Sequence, residues 1–230
     1  MKKLVFGLFV IAAMSANAQI ESGKLFIGGS VGFGTNGGSS EASTGGTTVT
    51  KDSPSTFGFN FIPQAGFMIT ENLAVGGGIG YDYSKTTWIE SHTDNTGKSG
   101  DYEMYSKSGS FIFAPFARFY KNTGDKVYAF GEFAMPLSFG TRQTNSWDSS
   151  IPAIVIDDPT KLMSFGVNLS IGFNYFLNDK CALEAKWAAI QFNSEKETTT
   201  GANWEKVDKY NSFGLGFDLT AITVGLRIFI

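Results

Sequence analysis

Residues 161–177 read KLMSFGVNLSIGFNYFL, a run in which large apolar residues alternate with small or polar ones. Successive side chains of an extended chain point to opposite faces, so the run separates into two sets. The apolar set is Phe165, Val167, Leu169, Ile171, Phe173 and Tyr175. The other set is Gly166, Asn168, Ser170, Gly172 and Asn174. This period of two predicts a β-strand with one apolar face.

The same alternation recurs along the chain, in segments that are long for strands. Eight segments show it, approximately residues 23–34, 56–69, 73–87, 106–120, 126–141, 161–177, 180–193 and 212–229. Many reach the ~9–11 residues that a tilted strand needs to cross a bilayer. Strands of soluble proteins usually have only about 5–6 residues. The lengths therefore favour strands that span a membrane.

The connections between these segments alternate between short and long. The short ones are residues 70–72, 121–125 and 178–179, and the long polar ones are residues 35–55, 88–105, 142–160 and 194–211. Short turns at one end and long loops at the other are typical of outer-membrane barrels. We therefore predict an all-β fold, an eight-stranded antiparallel transmembrane up-and-down β-barrel. Ten strands remain an alternative if the long loops contain hairpins.

The composition agrees with a membrane barrel. The 230 residues include 28 Gly and 22 Phe, only 17% are charged, and the formal net charge is -3, which argues against a protein that coats nucleic acid. A secreted or periplasmic β-sandwich is the alternative, but its outer face would usually carry many charges. Aromatic residues near the predicted strand ends are candidates for interfacial girdles: Tyr81, Tyr83, Trp88, Tyr105 and Tyr120.

The N-terminus has the features of a secretory signal peptide. Lys2 and Lys3 form a basic region, residues 4–14 are apolar, and residues 16–18 read Ala-Asn-Ala, a small-x-small cleavage site. We predict that residues 1–18 are a cleaved signal peptide and that residues 19–230 form the barrel domain.

The sequence of the last predicted strand resembles that of a known protein family. It runs from Leu219 to Ile230 and ends in Gly-Leu-Arg-Ile-Phe-Ile. With the signal peptide and the loop pattern, the chain resembles the small outer-membrane β-barrels, the OmpA/OmpX-like eight-stranded "porin family". The family often ends in an aromatic residue, whereas here Phe229 precedes the final residue. The resemblance implies a place in the bacterial cell outer membrane, with membrane lipid and the barrel-assembly machinery as partners.

Along each strand, odd- and even-numbered positions face opposite sides of the sheet, and we call this the parity of a position. Parity places a few charges inside the predicted barrel, in the half near the short turns. They are Arg118, Glu132, Glu184, Lys186 and Arg227, with Lys24 and Asp82 as further candidates. Buried charges must be paired, because breaking such a pair costs about 3–5 kcal/mol. We predict a salt-bridged network across the lumen. It either fills the interior or exchanges partners to open a narrow ion path, and both interpretations stay open.

Other motifs give only weak indications of a catalytic, nucleotide or metal site. Residues 32–37 match GxGxxG, but a polar loop follows rather than the helix that a dinucleotide site needs. Ser91, His92 and Asp94 lie within one loop, whose spacing does not define a catalytic geometry. Asp157 and the next residue could hold calcium only loosely, because no EF-hand spacing is present. We predict no enzyme activity, no cofactor and no metal site.

The outer loops contain apolar residues that either pack on neighbouring loops or bind a partner. They are Trp147, Ile154 and Ile156 in segment 142–160, and Trp204 in the last loop. The leading function is a structural or surface-interaction protein that acts through its outer loops, with a surface ligand that the sequence does not identify. The alternative is a narrow porin-like channel gated by the interior charges, and a third hypothesis is a loop-based surface enzyme.

Overall fold

A computed structural model describes residues 20–44, 47–93, 99–148, 153–216 and 223–230, with the backbone alone for residues 39–53 and 93. The predicted signal peptide, residues 1–18, lies outside this part of the chain. Within the described ranges, no helix is long and apolar enough to span a membrane.

The described chain is built from strands that pair only in antiparallel fashion. Their bounds are β1 Leu25–Thr44, β2 Thr47–Met68, β3 Leu73–Thr93, β4 Ser99–Gly124, β5 Val127–Ala134, β6 Leu137–Asp148, β7 Ala153–Ile156, β8 Thr160–Phe176, β9 Cys181–Thr200, β10 Glu205–Leu215 and β11 Thr223–Phe229. Each strand pairs with its neighbours in the order expected for an up-and-down sheet. Two strands of the barrel are each interrupted once, so that each is numbered as two elements.

The first interruption separates β5 from β6. Pro136 has no N–H to donate, and a proline interrupts the regular ladder of a strand. Both pieces nevertheless lie between β4 and β8. The second interruption separates β10 from β11, and both of these pair with β9. β11 also pairs with β1, so the sheet closes into a ring of eight strands. The prediction of an eight-stranded barrel is confirmed.

The predicted long loops are wrong in one respect, because most of their residues belong to strands. β3 and β4 stay paired out to Thr93 and Ser99, and β4 alone has 26 residues. These extensions lengthen existing strands and add none to the ring. Only β7 is extra, and it pairs with the outer part of β6. The number of strands in the ring therefore stays at eight rather than ten.

Hydroxyl pairs between neighbouring strands explain how polar sequence continues the sheet. The hydroxyl oxygens of Thr160 and Thr199, both in predicted loops, lie 2.7 Å apart, and those of Thr56 and Thr86, at the ends of predicted strands, lie 2.9 Å apart. Cross-strand pairs of this kind stabilise a sheet without any hydrophobic alternation. The strands can therefore extend past the membrane.

Burial follows the predicted alternation. Phe111 and Phe119 on β4 are 70% and 57% exposed and face outward, whereas Phe116 between them is 5% exposed and faces inward. The prediction of an apolar band that faces lipid is confirmed. Tyr120 is an exception to the proposed girdle: its ring is completely buried inside the barrel. It shares the inward parity of Arg118, and this parity outweighs its position near a strand end.

The interior is densest at the end of the barrel where the short turns lie, residues 69–72, 125–126 and 177–180; we call this the short-turn end. Buried apolar side chains form a floor there: Ile20, Phe26, Met68, Ala74, Phe116, Tyr120, Tyr128, Phe130, Phe176, Ala182 and Phe229. Large rings, rather than small residues, fill this half of the lumen. Phe229 packs on Phe26 and Phe176, with ring centroids 5.5 and 5.2 Å apart.

Candidate functional site

The five charges predicted inside the barrel come from four strands. Arg118 lies on β4, Glu132 on β5, Glu184 and Lys186 on β9, and Arg227 on β11. Antiparallel register places Arg118 directly opposite Glu132. The inward parity of each strand then brings all five side chains to one level of the lumen, and we call this group the ion network.

Arg118 is the centre of the ion network. Its Nε donates to Glu132 Oε2 at 2.9 Å, and its Nη1 donates to Glu184 Oε2 at 2.5 Å. The side chain of Arg118 has no exposed surface. One guanidinium therefore joins carboxylates from two strands across the lumen, with the charge-assisted geometry that arginine allows.

The network extends on either side of Arg118. Arg227 Nη2 donates to Glu184 Oε1 at 3.1 Å and to Gln64 Oε1 at 2.9 Å. Lys186 Nζ lies 3.0 Å from Glu132 Oε1. Positive and negative groups therefore alternate in the order Lys186, Glu132, Arg118, Glu184, Arg227. Each carboxylate is shared by two cations, so every charge in the network has an opposite partner.

The floor supports the network from the short-turn side. The guanidinium carbon of Arg118 lies 3.9 Å from the centroid of the Phe130 ring, and that of Arg227 lies 4.9 Å from the centroid of Phe26. Such cation–π contacts stabilise desolvated cations. Sequence reasoning missed these two rings and Gln64. Large aromatic residues at lumen-facing positions are the signal that could have revealed the rings.

A cavity of about 500 Å³ lies on the other side of the network, and we call it the chamber. Its lining includes hydroxyl, amide and charged side chains: Ser30, Asn60, Gln64, Asp82, Glu132, Asn168, Ser170, Lys186 and Thr223. Asp82, a further candidate for the interior, thus lines the chamber. Lys24, the other candidate, is half-buried at the start of β1 and does not line it.

The predicted surface residues divide into two groups. Trp147 packs within the outer hairpins: its ring stacks on His92 at 5.0 Å with an interplanar angle of 6°, and it also contacts Tyr102. Ile154 and Ile156 on β7 and Trp204 in the last turn are exposed, at 39%, 65% and 54%. Packing on neighbours therefore accounts for Trp147 and leaves the other three side chains at the surface.

Ser91 and His92 bind different carboxylates and do not form one site. Ser91 Oγ donates to Asp101 Oδ1 at 2.5 Å, whereas His92 Nε2 lies 3.0 Å from Glu90 Oε2. Asp94 lies outside the described residues. Glu90 also accepts a hydrogen bond from the Trp88 indole at 2.7 Å, and this bond, with His92, lowers the pKa of the Glu90 carboxyl.

Asp157 has a structural explanation. It accepts hydrogen bonds from Thr144 Oγ1 at 2.7 Å and from Ser146 Oγ at 2.5 Å, and so ties the end of β7 to β6. Across the described part of the chain, no group of three His, Cys, Asp or Glu side chains could hold a metal ion.

Comparisons with known proteins agree with this architecture. Residues 17–188 match the family described as outer membrane protein beta-barrel domain. The structure of the outer membrane protein OprG from Pseudomonas aeruginosa is similar, with a TM-score of 0.53 and 10% identity, over 94% of this chain and 99% of that one.

Two further barrels resemble the chain more distantly. Neisserial surface protein A has 14% identity and a TM-score of 0.36, over 90% of this chain and 97% of that one. The N-terminal barrel of Pseudomonas aeruginosa OprF has 8% identity and a TM-score of 0.35, over 91% and 98%. No curated protein matches the chain. The family match covers most of the sequence, and the chain belongs to the outer membrane protein beta-barrel domain family of the bacterial outer membrane.

Proposed function

We propose that the protein is a non-enzymatic surface-interaction protein, in which a barrel with a closed lumen anchors long outer hairpins. The observation that carries this proposal is the ion network. Arg118 has no exposed surface, its charge is held by Glu132 and Glu184, and aromatic rings lie directly beneath it.

Closure of the lumen argues against the channel alternative. An ion path through this level would require buried pairs to separate, and breaking one costs about 3–5 kcal/mol. Eight-stranded barrels have interiors that side chains can fill. The network and the floor together do so at the short-turn end.

The outer hairpins support the surface role. β4 has 26 residues, while a tilted strand crosses the bilayer with about 9–11. More than half of this strand therefore lies beyond the hydrocarbon region. Exposed apolar side chains on such extensions, as at Ile154, Ile156 and Trp204, are typical of contact surfaces.

Single-channel recording tests the closed lumen. The mature protein and its Glu132→Ala and Arg227→Ala variants are refolded, checked for heat-modifiable gel mobility and placed in planar bilayers. We expect no conductance steps from the parent barrel. Reproducible steps from the parent that change size in either variant would overturn the proposal in favour of the gated channel.

Cell adhesion tests the outer surface. In cells that display the barrel, the double change Ile154→Ser and Ile156→Ser should reduce adhesion to apolar surfaces and to other cells. Val207→Ser is the matched control, because Val207 is an exposed apolar residue of a different hairpin. Equal adhesion of the double variant and the parent would contradict a contact role for β7.

A further inference from the structure

Two lysines occupy directly opposite positions on the outer wall of the barrel. Lys85 on β3 is paired with Lys107 on β4, and like charges directly opposite one another destabilise a sheet. Both positions share the outward parity of Tyr81 and Phe111, which are 38% and 70% exposed. The two lysine side chains therefore project from adjacent positions on the surface that faces the membrane.

A single aromatic ring brings the two ammonium groups together. Lys85 Nζ lies 5.7 Å and Lys107 Nζ lies 5.5 Å from the centroid of the Tyr105 ring. Cation–π contacts attract both groups to this ring but neutralise neither charge. We call Lys85, Lys107 and Tyr105 the lysine clamp. The clamp is thus preorganised and keeps two positive charges.

No carboxylate compensates the clamp. Among the residues that the structure describes, neither lysine takes part in an ion pair. The positions that continue the row on β2 and β6 are Phe57 and Gln143, both uncharged. On the outward face of β4, the first carboxylate toward the hairpin tip is Glu103, which is opposite Ile89. The surface around the clamp therefore leaves its charge available for an anion.

The clamp lies where lipid phosphates lie. Lys85 is twelve residues after Leu73, at which β3 begins at the short-turn end, and a tilted strand crosses the hydrocarbon with about 9–11 residues. The next outward position toward the membrane is Tyr83, and tyrosine is enriched at the boundary between hydrocarbon and head groups. The clamp therefore stands just outside the hydrocarbon, at the head-group level of the outer leaflet.

A hydroxyl group lies beside the clamp on the same face. The Tyr81 ring packs on Phe111 with centroids 5.1 Å apart, and a Cβ on Gly109 would collide with the Tyr81 hydroxyl oxygen. Gly109 is the outward position of β4 next to Lys107. The missing side chain thus leaves room for a hydroxyl that can donate a hydrogen bond to an anion held by the clamp.

We infer that the lysine clamp binds the phosphate of a membrane lipid with a phosphomonoester head group. Such a phosphate carries about -1.5 to -2 charges at pH 7 and three acceptor oxygens, which suits two ammonium groups and one hydroxyl. Lysine binds phosphate as a point charge. The acyl chains of the lipid lie against the exposed apolar surface below the clamp, which includes Phe59 and Phe111. A soluble phosphate lacks this second contact.

Lipid titration with a matched control tests the clamp. The mature protein, refolded in a neutral detergent, is titrated with dioleoyl phosphatidic acid, and bound lipid is counted by native mass spectrometry. We expect the double change Lys85→Gln and Lys107→Gln to weaken binding about tenfold. The control is Lys196→Gln with Lys209→Gln, because these lysines are also directly opposite but are exposed rather than held by a ring. Equal losses in both double variants would show a general attraction to anionic lipid and overturn the inference.

Competition identifies the source of the phosphate. We expect phosphatidylserine, whose phosphate is a diester, to bind the parent more weakly than phosphatidic acid does. Inorganic phosphate at the concentration of the lipid should leave phosphatidic acid bound. Equal affinity for the two lipids would contradict a phosphomonoester site. Displacement by inorganic phosphate would show a site for a soluble anion, which also overturns the inference.

Photolabelling locates the bound lipid. Phosphatidic acid with a diazirine near the glycerol end of one acyl chain is added to phosphatidylcholine vesicles that contain the barrel. We expect label on Phe57, Tyr83 or Phe111 and its loss in the Lys85→Gln and Lys107→Gln double variant. Label spread evenly around the barrel, or label that persists in the variant, would contradict the clamp.

Folding is checked separately from binding. Heat-modifiable gel mobility identifies the folded variants in each assay. If the glutamine double variant does not fold, Lys107→Glu replaces it, because this change supplies Lys85 with an opposite charge across the strands. We expect Lys107→Glu to fold and to lose the lipid. A folded Lys107→Glu variant that binds phosphatidic acid as the parent does would overturn the inference.

Discussion

The two halves of this barrel are made from the same strands but are stabilised by different interactions. At the short-turn end, paired strands enclose aromatic rings and fully buried charges. At the outer end, hydroxyl pairs and partly exposed ion pairs join hairpins that surround the chamber of about 500 Å³ or stand in solvent. An Arg–Glu pair therefore contributes differently to the free energy of unfolding in the two halves. The loss of one partner costs more where the remaining charge is desolvated.

The largest expected effect compares one Arg–Glu pair from each half. Glu184→Gln leaves Arg118 and Arg227 with too little negative charge in a buried site, and should lower the free energy of unfolding by about 3–5 kcal/mol. Glu197→Gln breaks the partly exposed pair with Arg142 and should cost at most about 1 kcal/mol. Urea unfolding followed by tryptophan fluorescence measures both, and equal midpoints would remove the distinction between the halves.

Packing provides the second comparison. A Cβ at Gly172 would collide with the Phe130 ring and the Ala185 carbonyl oxygen, so Gly172→Ala should destabilise the barrel by about 1–3 kcal/mol. Gly34→Ala, in open space at the outer end, is the control. Refolding yield and urea midpoint are the measurements. If Gly172→Ala were as stable as Gly34→Ala, the floor would be more loosely packed than we describe.

This difference also explains what the sequence could predict. Within the membrane, alternation of apolar and polar residues predicted the outward band and the inward parity of Arg118 and Glu132, because lipid imposes a period of two. Beyond the membrane both faces of a strand meet water, so Ser and Thr show no alternation. The sequence pattern therefore predicts loops where the strands in fact extend. Their pairing depends on partners distant in sequence, as between Thr160 and Thr199.

The details of the site were predictable only in part. Parity indicated which charges share the lumen, but not that one guanidinium joins both carboxylates, since this depends on how the ring of strands closes. A position near a strand end predicts an interfacial ring for Tyr120, whereas its inward-facing position on β4 places the ring inside the barrel. No local sequence pattern distinguishes Gly29, whose φ is +148°, from its neighbour Gly28.

A smaller effect is expected from the aromatic stack in the outer hairpins. Trp147→Leu removes the stack on His92 and the contact with Tyr102, which should cost about 0.5–1.5 kcal/mol locally and leave membrane insertion intact. Limited proteolysis of the folded barrel in vesicles should show faster cleavage of the hairpins. Trp204→Leu, at an exposed turn, is the control and should change the cleavage rate less. Loss of the folded gel form in Trp147→Leu would show that the outer half is needed for assembly.

The smallest effect concerns Glu90, whose carboxylate is exposed to solvent but accepts a hydrogen bond from the Trp88 indole. Because this bond and His92 lower the pKa of Glu90 in the folded protein, the arrangement stabilises the hairpin above the ordinary glutamate pKa. That stabilisation is lost as the pH falls through the lowered value. Trp88→Phe keeps an aromatic ring but removes the donor, so the Glu90 titration midpoint, measured by NMR, should rise toward that of an ordinary glutamate. An unchanged midpoint would mean that the bond does not persist in solution. The hydrogen bonds of the outer half would then contribute even less to the stability of the fold than those of the ion network.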